Sequence, residues 1–189
     1  MTELLPLNNS HLPMRLTVDA YLLLDESGLF AEYAKTELID GEILYMNAQH
    51  RPHARIKSRL FRAICDQLDE IRGLEAIVEG SIGIPPYNSP EPDIVITNDP
   101  EGTGLIPIDS VKLVVEVSDA TLNFDVRQKL ALYARFGIAE YWVVDVNARM
   151  ILIHSGPAGD NYTLRTMAMF GDRITAATIP GLTVSTDGL

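Results

Sequence analysis

The spacing of apolar and polar positions divides the chain into alternating helices and strands. After Pro52, the residues Ile56, Leu60, Ile64, Leu68 and Ile71 recur at intervals of four, four, four and three. That is one face of a helix, opened by Pro52 in its first turn and running to about Arg72, where Gly73 ends it. Further along the period changes. Pro92 to Thr97, Lys112 to Ser118 and Glu140 to Val146 are short runs dense in valine and isoleucine, as expected of covered strands. A helical pattern from about Asn123 to Phe136, stopped by Gly137, separates the last two. Strand, helix and strand there predict one right-handed crossover within a mixed α/β sheet.

The remaining punctuation completes the outline. Asp40-Gly41 between two β-prone runs predicts a hairpin, with strands at Glu37 to Ile39 and Glu42 to Met46. Thr17 can cap a short helix through Asp19 to Leu24. Glu75 to Ile84 reads as a strand stopped by Pro85-Pro86, and 98–109 as a loop rich in proline and glycine. A second hairpin turns about Asn147-Ala148, with Arg149 to His154 as its return strand. Gly156 to Asn161 is a further turn before a short strand at Tyr162 to Met167. Residues 1–14 read as a loose arm, and the whole of 1–189 as a single domain.

Composition narrows the class. With 189 residues, 47% of them hydrophobic and 22% charged, the chain suits one globular domain with a sizeable core. No apolar run is long enough to span a membrane, and the first residues, with Glu3 and scattered prolines, lack the basic and apolar regions expected of a signal peptide. A lone cysteine, Cys65, excludes an intrachain disulfide framework and fits a reducing cytoplasm; beside Ile64 it reads as a small helix filler. The net charge of −11 changes the picture more, because non-specific affinity for DNA comes mainly from Lys and Arg. The most basic stretch is Arg51, Arg55, Arg59 and Arg62, which lie beside the apolar stripe of the first long helix. They form either a solvated face or one turned to phosphate.

Two of the buried strands carry a carboxylate, Asp93 at the start of one and Glu116 near the end of the other. Burial of such groups calls for a cation. Pro92-Asp93 followed by Glu116-Val117-Ser118 resembles the PD-(D/E)XK nuclease superfamily. Further matching words are Glu37-Leu38-Ile39-Asp40-Gly41-Glu42-Ile43, then Asp125, Lys129, Tyr133-Ala134 and Gly137 to Asp145. Together they resemble the Uma-two family, over roughly residues 15–182.

The resemblance implies a restriction endonuclease-like mixed β-sheet flanked by helices, with an added N-terminal β-hairpin. It also implies a Mg²⁺-dependent endonuclease acting on DNA, with Mn²⁺ as a substitute and a homodimer as one possible assembly. Asp93, Glu116 and the peptide carbonyl of Val117 would hold the metal. The superfamily pattern wants a lysine two residues after Glu116, where this chain has Ser118. Lys129 on the following helix is then the migrated lysine, with Gln128 beside it, and Glu37 the third acid. His53, Arg55 and Arg59 are the candidate substrate contacts. Each has a plainer alternative: Lys129 can pair with Asp125 on a helix surface, and Tyr133, Tyr141 and Trp142 can simply pack. Two further function classes stand beside the nuclease: a non-catalytic binding or scaffold module, and a metal-dependent hydrolase of another phosphate substrate.

Overall fold

The computed structural model describes residues 13–33, 35–46 and 48–189, so most of the expected N-terminal arm lies outside the described residues. Helix α1 (Val18–Glu26) opens at Thr17, whose hydroxyl accepts from the Ala20 N–H at 3.2 Å. It leads to the hairpin of β1 (Thr36–Ile39) and β2 (Glu42–Tyr45). Asp40 and Gly41 both have positive φ, 51° and 82°, as a two-residue hairpin turn matched to strand twist requires. Gly41 is needed for space as well, since an added Cβ would lie 2.6 Å from the Cβ of Arg15.

Helix α2 (Arg51–Leu68) follows, and then β3 (Glu75–Val78), β4 (Ile82–Gly83) and β5 (Ile94–Thr97). The chain continues through β6 (Ile106–Pro107) and β7 (Val111–Ser118) into a composite helix. Its parts are α3 (Leu122–Phe124), a π-helical turn (Asp125–Lys129) and α4 (Leu130–Arg135). Strands β8 (Glu140–Asp145), β9 (Met150–Ala158), β10 (Asn161–Met169), β11 (Arg173–Thr175) and β12 (Thr183–Ser185) complete the chain.

Six strands form the central sheet in the order β10-β9-β8-β7-β5-β3. Only β7 and β8 run parallel, joined by the composite helix; the other neighbours are antiparallel. This is the mixed α/β sheet the sequence predicts. Ile56, Leu60, Ile64 and Leu68 of α2 pack with Ile94, Val115, Val117 and Trp142 on one face. Leu130, Leu132, Tyr133 and Ala134 pack with Val95, Val114, Tyr141 and Val143 on the other. Both faces of β7 are thus covered, which is why its run is apolar almost throughout.

Several expected boundaries move. α2 stops at Leu68 rather than near Arg72, because the Glu70 and Ile71 N–H groups turn back to Gln67 and Leu68 three residues behind. The expected strand over 75–84 breaks at Glu79, which has φ 56°, and splits into β3 and β4. Gly156 is not in a turn. It lies within β9 at φ 69°, leaving room for the Thr163 hydroxyl, and the reversal comes at Gly159-Asp160. The β11–β12 hairpin, whose Ile174 and Val184 close the α2 side of the core, is not predicted by the sequence pattern.

Candidate active site

Strand register brings the two acidic strand residues together. Ile94 pairs with Val115, so Asp93 and Glu116 occupy facing positions one step further on. On the other side of β5, Val78 pairs with Ile94, and the Glu79 N–H donates to the Asp93 carbonyl at 3.2 Å. Glu79, Asp93 and Glu116 therefore form a row across the end of the sheet. Facing positions of this kind place Cβ atoms about 4.5–5.5 Å apart. The Asp93 carboxylate is fixed by the backbone of the very strand that carries Glu116: the Val117 N–H donates to Oδ2 at 2.8 Å.

The composite helix delivers the lysine. Lys129 Nζ lies 2.9 Å from Glu116 Oε1 and 3.1 Å from Glu37 Oε2, with only 3% of the residue exposed. Tyr133, one helical turn later, donates its hydroxyl to the same Glu116 oxygen at 3.0 Å. Asp125 does not pair with Lys129. Its Oδ2 accepts from the Ser118 and Thr121 hydroxyls, each at 2.7 Å, and the π turn spreads the two residues that a regular helix would stack. Glu37 enters from β1, where its Oε2 also accepts from the Glu91 N–H at 3.3 Å.

Helix α2 brings a histidine and a second lysine from the opposite side. His53 Nε2 approaches Asp93 Oδ2 at 3.2 Å, and Lys57 Nζ approaches Asp93 Oδ1 at 3.3 Å. Lys57 also binds Gln49 Oε1 at 2.6 Å and the carboxylate of Glu79, while Lys35 joins Glu79 to Glu91. The expected arginines are placed elsewhere. Neither Arg55 nor Arg59 lines the cleft, and Arg59 donates to the Gly188 carbonyl.

Charge at the site is uneven. Burial is the main force raising the pKa of Glu116 well above the usual carboxylate range; Asp125, Asp93 and Glu37 add to it, and Lys129 opposes. Burial raises Asp125 as well, against the pull of Lys129. Lys129 loses hydration, yet Glu116, Glu37 and Asp125 hold its ammonium protonated with a raised pKa. Burial would favour the neutral form of Asp93, but the His53 contact, the Val117 N–H and Lys57 together hold it ionised, below its ordinary value. Glu79, partly desolvated, is pulled down to about 2 by Lys35 and Lys57.

These side chains line a cleft of about 930 Å³. Seven carboxylates, those of Glu37, Glu79, Glu91, Asp93, Glu116, Asp119 and Asp125, face it with the lysines Lys35 and Lys129. Among the described residues, no three His, Cys, Asp or Glu side chains are arranged to hold an ion as they stand.

A family model described as "Putative restriction endonuclease" matches residues 18–187. The chain belongs to the Uma2 family. Its fold is also similar to a solved structure from Anabaena variabilis, titled as a putative nuclease belonging to DUF820. The TM-score is 0.66 at 16% identity, over 90% of this chain and 95% of that one. No curated protein matches the chain.

In this Uma2 chain, Glu37, His53, Asp93, Glu116, Val117 and Lys129 all line one cleft. Lys57, Glu79, Glu91 and Lys35 were not anticipated from sequence. The one available signal for Lys57 was its place next to Ile56 on the apolar stripe, unusual for a lysine unless it is paired. Tyr133 both packs in the core and reaches Glu116, so the packing reading covered only part of its role.

Proposed function

We propose that this chain is a metal-dependent phosphodiester hydrolase acting on DNA. One observation carries the reading: two carboxylates in facing positions on adjacent strands share a cleft with a lysine delivered by the next helix. The donor chemistry fits a hard divalent cation. Asp93 and Glu116 offer carboxylate oxygens, and among the described residues Glu116 Oε2 has no hydrogen-bond partner. A cleft whose seven carboxylates outnumber Lys35, Lys57 and Lys129 also repels a phosphodiester unless a cation accompanies it. Asp93, Glu116 and the Val117 carbonyl would hold Mg²⁺ or Mn²⁺. When bound, such an ion supplies Lewis-acid charge at the phosphate and eases ionisation of the attacking water.

The other roles belong to the chain itself. The Val117 N–H fixes the rotamer of Asp93, and Tyr133 orients Glu116. Lys129, held between Glu37 and Glu116, presents an ammonium to the charge that grows on the phosphate during attack. Its protonation is assured by the surrounding carboxylates. Glu37 shares that ammonium and keeps it at the cleft rather than at the helix surface.

A second reading draws on the same contacts. His53, Lys57 and the Val117 N–H together satisfy Asp93, as a purely structural ion network in a binding module would. Plasmid nicking with Mg²⁺ or Mn²⁺, run beside Mn²⁺ titration calorimetry, separates the two. The nuclease reading expects ion-dependent nicking that Asp93→Asn abolishes together with ion binding. Ion binding without cleavage of any DNA would favour the binding module.

A further inference from the structure

The surface beside the cleft carries an aromatic shelf that the hydrolytic chemistry does not use. Tyr45 closes β2 and is 66% exposed, and Tyr33 is 51% exposed, with their rings 5.7 Å apart and inclined by 40°. Two adjacent exposed aromatics make a contiguous apolar patch of the kind that marks an interaction site. The shelf stands on a packed base. Tyr21 and Phe30 stack beneath it at 5.7 Å, and the Tyr21 hydroxyl is tied to Thr36, the residue paired with Tyr45 in the hairpin.

A hollow of about 240 Å³ opens there, walled by Phe30, Tyr33, Thr36, Ile43 and Tyr45. It is small and mainly apolar, with room for one planar ring. Tyr45 also lines the main cleft, and Lys35, two residues after Tyr33, is part of the cleft wall. The shelf is therefore continuous with the carboxylate site.

Building on the nuclease reading, we infer that Tyr33 and Tyr45 form a stacking platform for an unpaired nucleobase of the strand being cut. The acidic balance of the chain supports this occupant. With 26 acidic against 15 basic residues and a net charge of −11, the protein gains little from contacts to a duplex backbone alone. Base–aromatic stacking needs no such charge and accepts any base, because every base has a π-face. A duplex hides those faces, so the platform makes single-stranded or frayed DNA the preferred substrate.

The test is fluorescence anisotropy of the full chain with two labelled strands of equal length, an oligothymidylate and its abasic sugar-phosphate counterpart, with Ca²⁺ replacing Mg²⁺. The oligothymidylate should bind roughly five- to one-hundred-and-fifty-fold tighter, the range set by one stacked base. Tyr45→Ala and Tyr33→Ala should each shrink that preference, while Tyr45→Phe and Tyr33→Phe keep it. Both side chains are exposed, so these variants fold. Equal binding of the two strands would overturn the platform, as would a preference that survives both alanine changes. Loss of preference in the phenylalanine variants would overturn it too, by pointing to the hydroxyls. Plasmid nicking without base preference would sink the platform and spare the nuclease reading. Base preference without cleavage in Mg²⁺ or Mn²⁺ would do the reverse.

Discussion

Replacing Lys129 by methionine separates the stabilising role of the buried lysine from the catalytic role proposed for it. The side chain bridges Glu116 and Glu37 at 2.9 and 3.1 Å in a site almost closed to solvent. Methionine keeps much of the volume but leaves two buried carboxylates facing each other. Breaking a buried pair in this way costs about 3–5 kcal/mol. The loss depends on pH, and its sign follows from Glu116. Burial and neighbouring acids already raise the pKa of that carboxyl, and removal of Lys129 raises it further. The folded variant then binds more protons than the unfolded chain above the ordinary glutamate value. Its stability must therefore fall as pH rises through that window. Urea unfolding at pH 6 and pH 8 should show the larger loss at pH 8, and Glu116→Gln in the same background should recover part of it. Turnover in a nicking assay should drop about 10²–10³-fold, as for one preorganised donor to developing charge. Mn²⁺ affinity should hold or rise, since a positive charge has left the site. Unchanged stability at pH 8 together with full cleavage would refute both halves of the reasoning.

Two further outcomes test the site's surroundings. His154 is buried between Tyr141 and Tyr162, among the described residues neither ring nitrogen has a partner, and burial lowers its pKa to about 4. The unfolded chain takes up that proton near pH 6.5 and the folded chain only near 4, so stability should fall across this interval on acidification. Screening by solvent near Arg165 leaves about 1–2 kcal/mol of the effect; His154→Phe should flatten the urea-midpoint profile between pH 6.5 and 4. Tyr133→Phe removes one of two donors to Glu116 Oε1 and should cost about 1 kcal/mol in urea unfolding. The fold should be unchanged in that variant, and an unaltered midpoint would reduce Tyr133 to packing alone.

How far these features could be read in the sequence depends on whether their cause is local. The β1–β2 hairpin was legible because Asp40-Gly41 supplies two residues that accept positive φ. α2 was legible from its apolar period, and β7 from a run covered on both faces. Asp93 and Glu116 were legible as a pair because both interrupt such runs. Lys57 was not, because its burial is made acceptable by Glu79 and Asp93, which come from the ends of two strands distant in sequence from its helix. The break at Glu79 was equally hidden: nothing adjacent to it demands φ 56°, and the residue is held there by Lys35 and Lys57. The β11–β12 hairpin escaped because strands of three residues carry too short an alternation to stand out.

The lysine missing after Glu116 and the lysine present at position 129 are physically linked. Ser118 sits where the superfamily pattern wants the lysine, and its hydroxyl donates to Asp125 instead. With Thr121 it anchors the first residue of the π turn at the end of β7. The Tyr141 hydroxyl, which donates to the Asp125 carbonyl at 3.1 Å, holds the same residue from β8. A helix pinned at Asp125 and widened over the next turn carries Lys129 down toward Glu116 rather than over Asp125. A lysine restored at position 118 would place an ammonium against Lys129 and remove the hydroxyl that pins the turn. The serine therefore reads as part of the device that turns Lys129 inward.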